Sequence, residues 1–178
     1  MVRLFLAGAL AAAAVAAPAG APSQSLNPGP RPATLEELTR AFASFDASDL
    51  SGRRWRPADL AGRVVLLDFW ATWCAPCLAD VPFLRQARAR FPPDRLTIIG
   101  VSLDTADRRT LTAWLNRQRV DWPQIWDDRG YDGPLARRFR VDALPRSVLF
   151  DANGRAVATN LRAERLIATL NQLIPGVR

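Results

Sequence analysis

Both cysteines of the chain lie in the run Asp68-Phe69-Trp70-Ala71-Thr72-Trp73-Cys74-Ala75-Pro76-Cys77. The apolar stretch Val64-Val65-Leu66-Leu67 before it reads as a buried strand of parallel type, and the segment after it has helical spacing. A Cys-x-x-Cys pair is thereby set at a helix N-terminus. There the unpaired N–H groups of the first turn and the helix dipole favour a thiolate, the reactive form in disulfide exchange. A redox-active dithiol is the leading reading. Two others compete with it. A permanent disulfide across so short a loop adds little by chain entropy, because that contribution grows with loop length. A zinc site wants four Cys or His ligands, and with two cysteines and no histidine only one completed by carboxylates or shared between chains survives.

Composition narrows the chemistry further. All 24 basic residues are arginine, and histidine is absent. An imidazole base and a Schiff-base lysine are excluded, leaving carboxylates, the two thiols and Tyr131 to move protons. The single Met is the first residue, so a copper carrier would have almost nothing beyond the cysteines to hold its metal. The net charge of +7 comes from scattered arginines with short clusters at 53–56, 85–90 and 137–140. These read as solvated faces with a lean toward acidic protein partners, and no nucleic-acid recognition motif accompanies them.

The elements that must position the pair follow from periodicity and punctuation. Residues 1–17 have the order of a secretory signal: Arg3, the apolar run Leu4 to Ala17, and a small-x-small cleavage site preferred at Ala14-Val15-Ala16. The run is short for a membrane span of about 20 residues, and no cysteine there could carry a lipid; left uncleaved, the segment would act as a weak membrane tether. Residues 18–33, rich in Pro, Ala, Gly and Ser, read as a flexible tether, and one domain occupies 34–178. Thr34 with Glu37 has capping-box spacing ahead of a helix carrying Leu35, Leu38 and Phe42, and a turn at Leu50-Ser51-Gly52 predicts a small N-terminal hairpin. After the cysteines, Leu78, Val81, Leu84, Ala87, Arg88 and Phe91 trace a helix that Pro82 should bend. Leu96 to Ser102 is a strand. Asp104 or Thr105 is the expected cap of a helix with Leu111, Trp114 and Leu115 inward. Ile125-Trp126 forms a short strand and Pro134 to Phe139 a short helix. Ser147 to Asp151 and Arg155 to Ala158 pair about the Ala152-Asn153-Gly154 turn, and Leu161 to Ile174 is a closing helix. This order implies an α/β fold, a central mixed sheet with helices on both faces.

The run from Val64 to Cys77, the segment Val141-Asp142-Ala143-Leu144-Pro145 and the stretch Val148 to Gly154 resemble the thioredoxin-like superfamily. Together with Ala58 to Leu66, they are similar to exported thiol–disulfide oxidoreductases of the TlpA/ResA type, with a redoxin or AhpC/TSA-like domain. The resemblance implies a thioredoxin-like fold and assigns roles. Cys74 matches the more exposed nucleophile and Cys77 the buried resolving thiol. Pro145 matches the superfamily's cis-proline, presenting the Leu144 backbone to a substrate strand. Trp73 would shield Cys74, a packed aromatic being the competing reading. Asp68 matches the buried proton-relaying acid of thioredoxin. Asp80 falls where ResA-like relatives carry a tuning Glu, with a solvated face as the competing reading. Arg146 departs from the family's Thr and adds a positive charge near the groove, with selection of acidic partners and support of the thiolate both open as its role.

The resemblance also implies a disulfide-bonded protein substrate, a membrane-embedded thiol electron donor, no cofactor or metal, a monomer, and a periplasmic setting often concerned with cytochrome c maturation or thiol maintenance. The lack of histidine between the cysteines favours a disulfide reductase over a dithiol oxidase. A non-redox peptide-binding or chaperone module is the alternative from another class.

Overall fold

The computed structural model describes residues 31–176, so the expected signal segment and almost all of the tether lie outside the described residues. The element order is α1 (Leu35–Ala43), β1 (Ala47–Ser48), β2 (Arg54–Trp55), α2 (Pro57–Leu60), β3 (Val64–Trp70), α3 (Ala75–Arg90), β4 (Leu96–Ser102), α4 (Arg108–Arg117), β5 (Gln124–Trp126), α5 (Pro134–Arg138), β6 (Arg146–Phe150), β7 (Ala156–Thr159) and α6 (Ala163–Leu173). A five-stranded sheet runs β5-β4-β3-β6-β7. Strands β3, β4 and β5 are parallel, and β6 and β7 are antiparallel to their neighbours, so the sheet is mixed as expected.

Strand alternation divides the core into two layers. Val65, Leu67 and Phe69 of β3 face Leu38 and Phe42 of α1 and Leu135 and Ala136 of α5. Val64 and Leu66 face Leu84 and Ala87 of α3 and Leu166, Ile167 and Leu170 of α6. Each fully buried Leu, Ile, Val or Phe contributes about 1.5–3 kcal/mol of transfer free energy. Phe42 ties α1 to the sheet by stacking on Phe150, with ring centroids 4.1 Å apart. A third cluster lies at the C-terminal end of β3, where Leu111 and Leu115 of α4 meet Trp70, Ala71, Cys74 and Cys77.

The N-terminal extension behaves as the turn signals require. The Thr34 side chain accepts the Glu37 N–H while the Glu37 carboxylate accepts the Thr34 N–H, closing the capping box on α1. In the β1–β2 hairpin the Asp49 carboxylate accepts from Ser51, from the Arg53 N–H and from the Trp55 indole, and Gly52 takes the left-handed conformation at φ 88°. The Leu50 N–H donates to the Gln124 carbonyl, fastening the hairpin to the edge strand β5.

Two local expectations are corrected. Helix α4 is capped by Asp107, which accepts from the Thr110 N–H and hydroxyl, and neither Asp104 nor Thr105 caps it. Asp104 is drawn inward instead, because three donors from Thr72 and Ser102 satisfy its carboxylate there. The short helix α2 was not expected from periodicity; Pro57 at its first turn starts it and Asp59 accepts the Arg56 N–H.

Candidate active site

Strand β3 carries Asp68 and Trp70 up to the redox loop, and the chain then turns through Ala71–Trp73 into α3. Cys74 is the N-cap of α3. Its sulfur accepts the Cys77 N–H at 3.3 Å, and its carbonyl accepts the Leu78 N–H. Cys74 and Cys77 form a disulfide with their Cα atoms 5.2 Å apart. Cys74 is 4% exposed and Cys77 5%, so the expectation that Cys74 is the more exposed is not met in this oxidised form. Both cysteines belong to the buried cluster of Trp70, Ala71, Leu111 and Leu115, against which Leu144 packs.

Several contacts hold the loop in place. Asp104, 2% exposed, accepts the Thr72 N–H at 3.1 Å and the Thr72 hydroxyl at 2.5 Å, two residues before Cys74. The Trp70 indole donates to Gln124 at 2.9 Å, and the Trp126 indole donates to the Asp104 carbonyl. Trp73 is 59% exposed, its ring 6.4 Å from that of Tyr131.

Beneath the disulfide, Asp68, Trp70 and Cys77 line one cavity of about 10 Å³ with Val81, Leu84 and Trp114. Such a space has room for about one water molecule. Removal of the Asp68 carboxyl from water pushes its pKa up from 3.8 to about 7; the negative charge of Asp80 adds to the rise and Arg162 opposes it. Asp80 is likewise pushed above its ordinary value by burial, against the pull of Arg162 and the Ala163 N–H. Arg162 pairs with Asp80 at 2.7 Å and donates to the Pro76 carbonyl, between the cysteines, at 2.5 Å. It thus links the start of α6 to the first turn of α3.

The Leu144–Pro145 bond is cis, and Leu144 packs against both the main core and the cluster that holds the disulfide. Arg146 follows as the first residue of β6, opposite Phe69. Cys74, Cys77, Asp68, Asp80 and Leu144 thus converge on one end of the sheet. Gln124 and Arg162 were not singled out from sequence, and Asp104 was read there only as a helix cap. Each acts through a partner at least 32 residues away, which local periodicity does not mark. Among the described residues no group of three or more Cys, Asp or Glu is gathered as a metal site would require.

Fold and disulfide together define a thiol–disulfide oxidoreductase with a thioredoxin-like fold. The chain belongs to the AhpC/TSA family, whose pattern matches residues 38–158. It is 29% identical over 121 residues to the thiol-disulfide oxidoreductase ResA of Bacillus anthracis, covering 68% of each chain. To ResA of Bacillus subtilis it is 27% identical over 136 residues, covering 75% of this chain and 74% of that one. The thioredoxin domain of a thiol-disulfide oxidoreductase from Bacteroides vulgatus superposes with a TM-score of 0.65 at 25% identity, covering 73% of this chain and 92% of that one. A secreted disulfide oxidoreductase of Mycobacterium tuberculosis, described as homologous to DsbE, shares the fold with a TM-score of 0.62 at 24% identity, covering 75% of this chain and 98% of that one.

Proposed function

We propose that this protein is an exported disulfide reductase acting on disulfide-bonded proteins, with a membrane-embedded thiol donor restoring its dithiol. The observation that carries the reading is the cavity shared by Asp68 and Cys77 directly beneath a disulfide that caps a helix. In the reduced protein the N-terminal end of α3 stabilises a Cys74 thiolate. That thiolate attacks one sulfur of the substrate disulfide, the other leaves as a thiolate, and a mixed disulfide joins Cys74 to the substrate. Asp68, titrating near neutrality, accepts the Cys77 proton through the shared cavity. The Cys77 thiolate then attacks the Cys74 sulfur, the second substrate sulfur departs and takes up a proton, and the Cys74–Cys77 disulfide forms. Two electrons have passed from the dithiol to the substrate.

Around this centre, the Leu144 backbone beside Pro145 offers an edge to the substrate strand and the exposed Trp73 gives it an apolar surface. Asp80, held by Arg162, tunes the charge that Asp68 feels. The signal-like N-terminus supports export, and the likeness to ResA and DsbE-type proteins supports a place in cytochrome c maturation or extracytoplasmic thiol maintenance.

The test is the equilibrium reduction potential of the couple in a thiol/disulfide buffer, followed by tryptophan fluorescence. A value near about −270 mV is expected, whereas one near about −120 mV would reverse the direction of electron flow. Reductase activity is lost in Cys74→Ser; a partner-binding function that survives this substitution would point instead to a non-redox module.

A further inference from the structure

Arg146 stands where the cis-proline loop enters β6, two residues from Leu144 and hence beside the packing that encloses the disulfide. Strand alternation sends its side chain to the Phe69 and Val148 face, opposite to that of Asp68 and Ser147. Among the described residues, the acid whose charge acts on Arg146 is Asp142, with which it forms no ion pair, while Asp68 and Asp80 answer to Arg162. Its Nε and Nη2 are buried and have no hydrogen-bond partner among the described residues. These two nitrogens form one edge of the guanidinium, the edge that takes a carboxylate side-on through parallel hydrogen bonds. The chain displays that pairing elsewhere: Arg54 donates from Nε and Nη2 to the two oxygens of Asp46 at 2.6 and 2.5 Å. A desolvated guanidinium edge without a hydrogen-bond partner is unfavourable in the free protein, and the same edge gains most when a ligand completes it.

We propose that Arg146 is a carboxylate subsite of the substrate groove, its Nε and Nη2 binding the side chain of an Asp or Glu within a residue or two of the substrate cysteine. This rests on the reading that a protein strand lies along Leu144 while its sulfur meets Cys74. The charge departure at position 146 therefore acts on which substrate is taken, and not on the proton held beneath the disulfide.

The experiment uses the Cys77→Ser protein and two peptides with one cysteine activated as a mixed disulfide with thiopyridine, identical except for Asp or Asn beside the cysteine. The rate of mixed-disulfide formation with Cys74 is read from thiopyridone release. At low salt the Asp peptide reacts about tenfold faster, and adding Arg146→Gln brings the ratio to about one. Taking the ratio within each protein cancels changes common to both peptides. Equal rates in the protein that retains Arg146 overturn the subsite without any further variant being needed. A tenfold preference that survives Arg146→Gln assigns it to overall charge and also overturns the subsite. Both results leave the thiol–disulfide reading standing. No reaction with either peptide removes that reading, and this one with it.

Discussion

Asp68 places an acid where an apolar strand would otherwise be continuous, and its chemistry follows from the resulting desolvation. Since its pKa rises on folding from 3.8 to about 7, the folded protein holds this proton more tightly than the unfolded chain. The stabilising contribution is complete below about pH 4 and is lost as pH rises through about 7. Asp68→Asn is therefore expected to raise unfolding stability at pH 8 by about 2–4 kcal/mol and to change it little at pH 4, as read from denaturant midpoints at the two values. If Asp68 accepts the Cys77 proton as proposed, the same substitution is also expected to slow release of substrate from its mixed disulfide with Cys74. If stability at pH 8 fell, the desolvation account of Asp68 would be wrong.

At the scale of elements, the redox loop is held by contacts that reach across the sheet. Asp104→Ala leaves the Thr72 N–H and hydroxyl and the Ser102 hydroxyl without their acceptor, and a loss of about 2–4 kcal/mol is expected in urea unfolding. Gly100 in β4 makes room for Gln124, which receives the Trp70 indole. A Cβ at position 100 would lie 2.2 Å from the Gln124 side-chain oxygen, so Gly100→Ala should cost about 1–3 kcal/mol. In a double-mutant cycle with Gln124→Ala the loss in the double variant should fall short of the sum of the two single losses, and strict additivity would show that the side chain is not the obstacle. These long-range contacts also separate what was legible in the sequence from what was not. The strands, the helices that follow them, the hairpins and the cysteine pair all carry local signals, namely periodicity, turn residues and caps. Asp104 was misassigned as a cap because an acid just after a strand looks the same from sequence whether it turns outward to a helix or inward to Thr72. Arg162 had no local signal at all, since its partners Pro76 and Asp80 lie far upstream in the chain.

For the whole molecule, the direction of electron flow is also a statement about stability. In a reductase the native fold favours its disulfide, whereas an oxidant such as DsbA is more stable reduced. Reduction is therefore expected to lower the melting temperature by about 5 °C or more in matched thermal scans, and a rise on reduction would contradict the reductase reading independently of any substrate. The covering of the sheet margins has a further consequence. On one side the Leu50 N–H is bonded to Gln124 of β5, and on the other the Ala156 N–H of β7 is taken by the Thr39 hydroxyl of α1. An extended chain arriving at either margin must displace an existing contact, the hazard that leads exposed edges to fibrils being blunted at both. If a substrate strand settles along the proline loop as proposed above, the covered margins keep the same strand from pairing laterally with the sheet.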